Sequence, residues 1–79
     1  MPFLYLYDIN AKDKREFNRI KRRFYYWLNQ IIPDKSLWKT KSALLVERKY
    51  VRALDALFRE FRSSIVVYKA NVRSIEKLE

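Results

Sequence analysis

Residues 3–8, FLYLYD, run through five apolar or aromatic side chains before the first carboxylate, Asp8. Phe, Leu and Tyr favour pleated, half-buried surfaces, so the run predicts a strand. Its lack of polar alternation predicts that both faces are covered, as in a central strand. Pro2 precedes it, where a missing amide costs little. From about residue 12 to 31 the apolar spacing changes to threes and fours, through Phe17, Ile20, Phe24, Trp27, Leu28 and Ile31. That period puts them on one stripe of an amphipathic helix with Trp27 on the core side. Asn10 or Asp13 can cap it. Pro33 ends the pattern, and PDKS reads as a loop.

Residues 37–47, LWKTKSALLVE, alternate in part. Trp38, Thr40, Ser42, Leu44 and Val46 would share one face, with Lys39, Lys41, Ala43 and Leu45 on the other. This predicts one strand, or two short strands broken by a bend. A second helical stripe follows over roughly 47–62, carried by Tyr50, Val51, Leu54, Leu57, Phe58 and Phe61. The β-branched and aromatic run SIVVYKANV, 64–72, predicts a further strand. The closing RSIEKLE reads as a frayed helix, an extra edge strand or a disordered tail, so residues 72–79 are expected to be flexible or to pair with a partner. Helices alternating with strands in so short a chain predict an α+β fold. The compact solution is a ferredoxin-like split βαβ, an antiparallel sheet with two helices on one face. The 79 residues make one such domain.

Charge narrows the class of partner. Eighteen Lys and Arg stand against nine Asp and Glu, a formal charge of +9. On so small a body that field favours polyanions, DNA or RNA first and an acidic protein second. Absences exclude chemistry. No Cys means no disulfide and no thiolate zinc site. No His removes the commonest general base and metal ligand. No Gly removes phosphate-cradling loops of the Walker and dinucleotide types. No apolar run approaches the roughly 18 residues of a membrane span, so no membrane partner is expected. The N-terminus has no basic region before an apolar core, which predicts no signal peptide and a cytoplasmic location, a host's cytoplasm if the gene is viral.

The positive charge has a pattern. Lys12, Arg15, Arg19, Arg22, Arg23 and Tyr26 fall roughly opposite the apolar stripe of the first helix, with only Glu16 nearby to offset them. Such a face reads as a solvated surface or as a phosphate-binding one with little sequence preference. Lys39 and Lys41 alternate out of the second strand, where they would contact nucleic acid or guard a sheet edge. Arg59 and Arg62 close the second helix, where cations suit its dipole. Tyr25, Tyr26 and Trp27 are consecutive, so at least one Tyr must be exposed or lie in a subunit interface.

Asp8 has two readings from its own position. It begins a turn by bonding nearby amides, or its carboxylate holds a metal. FLYLYDI at 3–9, followed by Arg15, resembles the opening of the small CRISPR-associated adaptation subunit, CRISPR-associated protein two. In the same comparison KTKSALLVE resembles the second strand, with Ser42 at the family's Ser position, and SIVVYKA resembles the later strand. The virulence-associated protein D family shares this fold and opening. The resemblance implies a ferredoxin-like homodimer in which two sheets face each other and the first-strand Asp residues approach across the two-fold axis. It implies that Asp8 is a Mg²⁺ ligand and, in the nuclease members, a catalytic residue. Other members are DNA-binding scaffolds beside an integrase. One carboxylate from each of two subunits can hold Mg²⁺, which keeps several waters. The expected function is therefore a basic, dimeric nucleic-acid-binding protein. A metal-dependent endonuclease using Asp8, and an interaction protein with an acidic partner, are the alternatives.

Overall fold

A computed structural model describes residues 2–33, 38–40, 42–74, 76 and 78. Strand β1 spans Phe3–Ile9, helix α1 Lys14–Ile31, strand β2 Trp38–Thr40 and strand β3 Ala43–Val46. A single 3₁₀ turn, Arg48–Tyr50, leads into helix α2, Val51–Glu60, and strand β4 covers Ile65–Asn71. The sheet order is β2-β3-β1-β4, antiparallel throughout. β3 lies between β1 and β2, and β1 lies between β3 and β4. Each helix thus crosses over a strand it does not belong to, which is the ferredoxin-like split βαβ arrangement. Among the described residues no backbone φ is positive, so a chain without glycine meets no steric obstacle in making this fold.

Local signals set the element ends. Asp13 caps α1, its Oδ1 accepting from the Glu16 N–H at 2.8 Å, and the expected start near residue 12 moves to Lys14. The second helical stripe opens with the 3₁₀ turn and becomes α-helical at Val51. Within the 37–47 segment the described residues form two short strands, Trp38–Thr40 and Ala43–Val46, with an irregular register between Trp38 and Thr40. β4 pairs with β1 along its whole length, and the Val72 N–H to Pro2 carbonyl bond of 3.0 Å extends that pairing by one residue. Beyond it, the described residues of the C-terminal segment form neither helix nor strand.

The core lies between the sheet and the helices. Tyr5, Tyr7, Leu44, Val46 and Ile65 point from the sheet toward Ile20, Phe24 and Leu28 of α1 and Leu54, Leu57 and Phe58 of α2. Phe24 is the centre of an aromatic cluster, its ring 5.4 Å from Tyr7, 5.4 Å from Phe58 and 5.5 Å from Phe61. Offset and tilted pairs at these separations add to the burial itself.

Two expectations are corrected. β1 is central in the sheet, yet only one of its faces is covered. Tyr5 and Tyr7 are buried, whereas Leu6 and Asp8 on the opposite face are exposed. Both helices take the same side, so among the described residues nothing covers the other one. Trp27 is not a core residue: it is 52% exposed. The buried line is Ile20, Phe24 and Leu28, and Trp27 stands about 60° off Phe24 around the helix. Its ring packs edge-on against Tyr26 at 5.1 Å instead.

Candidate nucleic-acid interface

The outward face of α1 gathers most of the predicted phosphate-binding residues. Lys12 precedes the helix, and Arg15, Arg19, Arg22, Arg23 and Tyr26 are all exposed along it. Between Lys14 and Ile31 there are six cations and one acid, Glu16. Among the described residues, Arg15, Arg19 and Arg22 form no ion pair. The rise from Arg15 to Arg22 is about 10 Å, which matches the axial rise of about three phosphates on one strand.

The face has two flanks of different character. On one, Arg19 and Arg23 meet Glu16, Glu60, Phe61 and Ser63 around a pocket of about 200 Å³. Two carboxylates dilute the charge there, and the Arg23 guanidinium sits 5.8 Å over the Phe61 ring. Arg23 therefore packs α1 onto the end of α2, so its role is at least partly structural. On the other flank Arg22 and Tyr26 join Asn18, Lys21, Tyr25 and Asn29 along a shallow groove of about 460 Å³.

That groove leads to Asp8. Ala43, the first residue of β3, pairs with Leu6, and a backbone bond continues the pairing past it before an opening in the surface. The bond runs from the Tyr7 N–H to the Ser42 carbonyl at 3.0 Å. The opening is a cleft of about 410 Å³ lined by Tyr7, Asp8, Ile9, Phe17, Lys21, Tyr25 and Ser42. Lys21 and Tyr25, one helical turn apart, line both the cleft and the groove. The Lys21 ammonium lies 5.9 Å over the Phe17 ring, within cation–π range. Tyr7 and Tyr25 place their hydroxyls 3.1 Å apart. Burial, reinforced by that hydrogen bond, raises the Tyr7 phenol well above its ordinary value, so it is a neutral hydrogen-bonding group.

Asp8 lies within β1, opposite Val66 of β4, so it is not the residue that turns the chain into α1. It is exposed, and among the described residues it makes no ion pair. The described side chains of one chain do not by themselves suit Mg²⁺. A hard cation seeks several oxygen ligands, whereas Asp8 is the one acidic residue among the described residues that line the cleft. Among the described residues no three Asp or Glu side chains converge.

Lys39 lies in β2, and Lys41 lies outside the described residues. Arg59, in the last turn of α2, and Arg62, just past it, lie near a different hydrogen-bonded group. Tyr5 donates to Asp55 Oδ1 at 2.8 Å and Lys69 Nζ donates to Oδ2 at 2.7 Å, tying β1, α2 and β4 together. Arg59 and Arg62 border that pocket, and the Arg62 guanidinium donates to the Arg59 carbonyl at 3.2 Å. Sequence reasoning missed Lys21 and Tyr25 as site residues. Both sit on one edge of the apolar stripe of α1, and a helical wheel would have grouped them with Phe17. Nothing in the sequence, however, marks that edge as facing the open end of β3.

The sheet face opposite the helices is mainly apolar. Leu6 is 46%, Val66 43% and Tyr68 71% exposed, and by register Leu6 pairs with Tyr68 and Asp8 with Val66. Among the described residues no helix is long and apolar enough to cross a membrane. Comparison of the chain with protein-family models, curated proteins and solved structures gives no match, so the likeness at residues 3–9 stands without a matching family model.

Proposed function

We propose that this protein binds nucleic acid through its phosphates, with the outward face of α1 as the principal contact and with a second copy of the chain covering the open sheet face. The observation that carries the reading is the row Arg15, Arg19 and Arg22, three exposed guanidiniums without an ion pair among the described residues. Like charges held this close repel one another, and a polyanion relieves that repulsion while releasing its counterions. Arginine forks also match phosphate geometry.

The dimer follows from the other side of the sheet. Leu6, Val66 and Tyr68 form an apolar surface with one aromatic ring. A stacking platform for bases would need several rings, whereas aliphatic side chains of this kind suit an isologous protein contact. A dimeric, basic, ferredoxin-like scaffold is also what the resemblance of FLYLYDI to the CRISPR adaptation subunit implies. Endonuclease activity would need a second Asp8 from the partner to complete a metal site.

The test is fluorescence anisotropy with labelled duplex DNA and single-stranded RNA across a salt series. Log affinity should fall linearly with log salt, with a slope near −3, as expected for about four neutralised phosphates. Absence of binding at low salt would refute the reading and return the cationic face to solvent or to an acidic protein.

A further inference from the structure

We propose that the free edge of β4 takes up an acidic, extended segment of a partner protein as a fifth strand of the sheet. The site shares no residue with the cationic face of α1, so it is a second binding surface.

The edge is open by register. β4 is the last strand in the order β2-β3-β1-β4 and is paired on one side only. The Asn10 N–H donates to the Ser64 carbonyl at 2.7 Å, and the Val72 N–H to the Pro2 carbonyl at 3.0 Å. Bonded and non-bonded pairs alternate along an antiparallel ladder, so the even-numbered residues of β4 bond β1. The odd-numbered Val67, Lys69 and Asn71 therefore turn their N–H and C=O outward. Among the described residues no hydrogen bond reaches these groups.

Proteins blunt such an edge by shortness, irregularity, proline or a free charge. The opposite edge follows that rule: β2 has three residues and an irregular register. β4 does not. Its seven residues, IVVYKAN, include no proline, and its register with β1 is unbroken. Its one lysine, Lys69, is held by Asp55 at 2.7 Å. An edge of this kind is a template for strand addition, in which the backbone supplies affinity and alternate side chains supply specificity.

Charge selects the partner. A strand added to β4 turns every second side chain to the helix side of the sheet. There α2 and β4 border a trough of about 370 Å³ lined by Phe58, Ile65 and Val67 and by the cations Arg59, Arg62 and Lys69. Asp55 is the one acid in that lining, and Lys69 and Tyr5 already occupy its oxygens. Among the described residues Arg59 and Arg62 form no ion pair. Glutamate or aspartate at alternate positions of the added strand matches these guanidiniums. A second copy, pairing β4 with β4, would bring the same cations together on chains that each carry +9, so it is the poorer occupant.

The experiment uses a fluorescein-labelled eight-residue peptide of alternating valine and glutamate, followed by anisotropy at low salt. The glutamate peptide should bind, and an alternating valine and lysine peptide should not. Two N-methylated versions separate strand pairing from charge, one methylated at its valines and one at its glutamates. In an extended chain these amides point to opposite edges, so one version should lose binding and the other keep it. Arg59→Ala with Arg62→Ala, both exposed, should keep the fold by circular dichroism and weaken the peptide about fivefold, as expected for two exposed ion pairs. The triple variant Arg15→Ala, Arg19→Ala and Arg22→Ala should bind it as the wild type does. Equal binding of both methylated versions, or loss of binding in the triple variant, would mean a polyanion held by charge alone and overturn the inference. Failure of the glutamate peptide to bind would overturn it too. A dimer that survives Leu6→Lys and excludes the peptide would assign the edge to a second copy and overturn it as well.

Discussion

The hydroxyls of Tyr7 and Tyr25 meet at 3.1 Å across the seam between β1 and α1. Tyr7 belongs to the core, and Tyr25 is half-buried with its ring 5.3 Å from Phe24 and 6.4 Å from Tyr7. One side chain therefore closes the core and walls the cleft. Tyr25→Phe should cost about 1 kcal/mol, the net worth of a hydrogen bond of this kind. Urea denaturation measures it, with an unchanged m-value marking the loss as one of stability.

Titration at both ends of the pH range should report the internal tyrosines and Asp55. Burial raises the Tyr5 phenol, and its hydrogen bond to Asp55 raises it further; Tyr7 is raised in the same direction. A raised folded-state value contributes stability that is complete below the unfolded tyrosine pKa, about 10, and is lost as pH rises through the folded value. Two of the six tyrosines should thus ionise only as the protein unfolds, seen as a phenolate absorbance step coincident with loss of circular dichroism. Burial alone would raise Asp55, but hydrogen bonds from Lys69 and Tyr5 and the charges of Lys69 and Arg59 outweigh it, and its pKa falls below the ordinary value. That contribution is complete above the unfolded carboxylate pKa, about 3.9, and is lost as pH falls through the folded value. Asp55→Asn should flatten the acid limb of the stability curve.

Salt should act oppositely on the two proposed contacts. Two copies, each carrying +9, repel one another across an apolar sheet face, so sedimentation should show more dimer in about 0.5 M salt than in about 0.05 M, where screening is weaker. Nucleic-acid binding should weaken over the same range. Leu6→Lys, on the exposed face, should leave the monomer folded and abolish the dimer.

Incubation with Mg²⁺ tests the role of Asp8 directly. With no cluster of three acidic side chains among its described residues, the protein should bind labelled strands without divalent metal and leave them uncut. Metal-dependent cleavage that vanishes in Asp8→Asn would instead make the dimer an endonuclease.

The sequence made the element order and the α+β class legible because its two periods are clean. The stripe of Ile20, Phe24 and Leu28 and the run FLYLYD each satisfy only one local geometry. Spacing alone could not show that both helices lie on the same side, which leaves Leu6 and Asp8 uncovered. Nor could it show where the narrow apolar stripe of α1 ends, which is why Trp27 was expected inside. The cleft was illegible because it is made by tertiary packing: Tyr7 and Ile9 of β1, Phe17, Lys21 and Tyr25 of α1, and Ser42 meet around one opening only once α1 lies across the sheet.

The phosphate-binding face of α1 is tested most directly by the salt slope of a triple variant, Arg15→Ala, Arg19→Ala and Arg22→Ala, against that of the wild type on the same labelled strand. The three side chains are exposed, so the variant should keep its fold. Its slope should be shallower by about 2, as expected on losing about three phosphate contacts at roughly 0.7 each. A slope equal to that of the wild type would place the binding surface elsewhere on the protein and contradict the account.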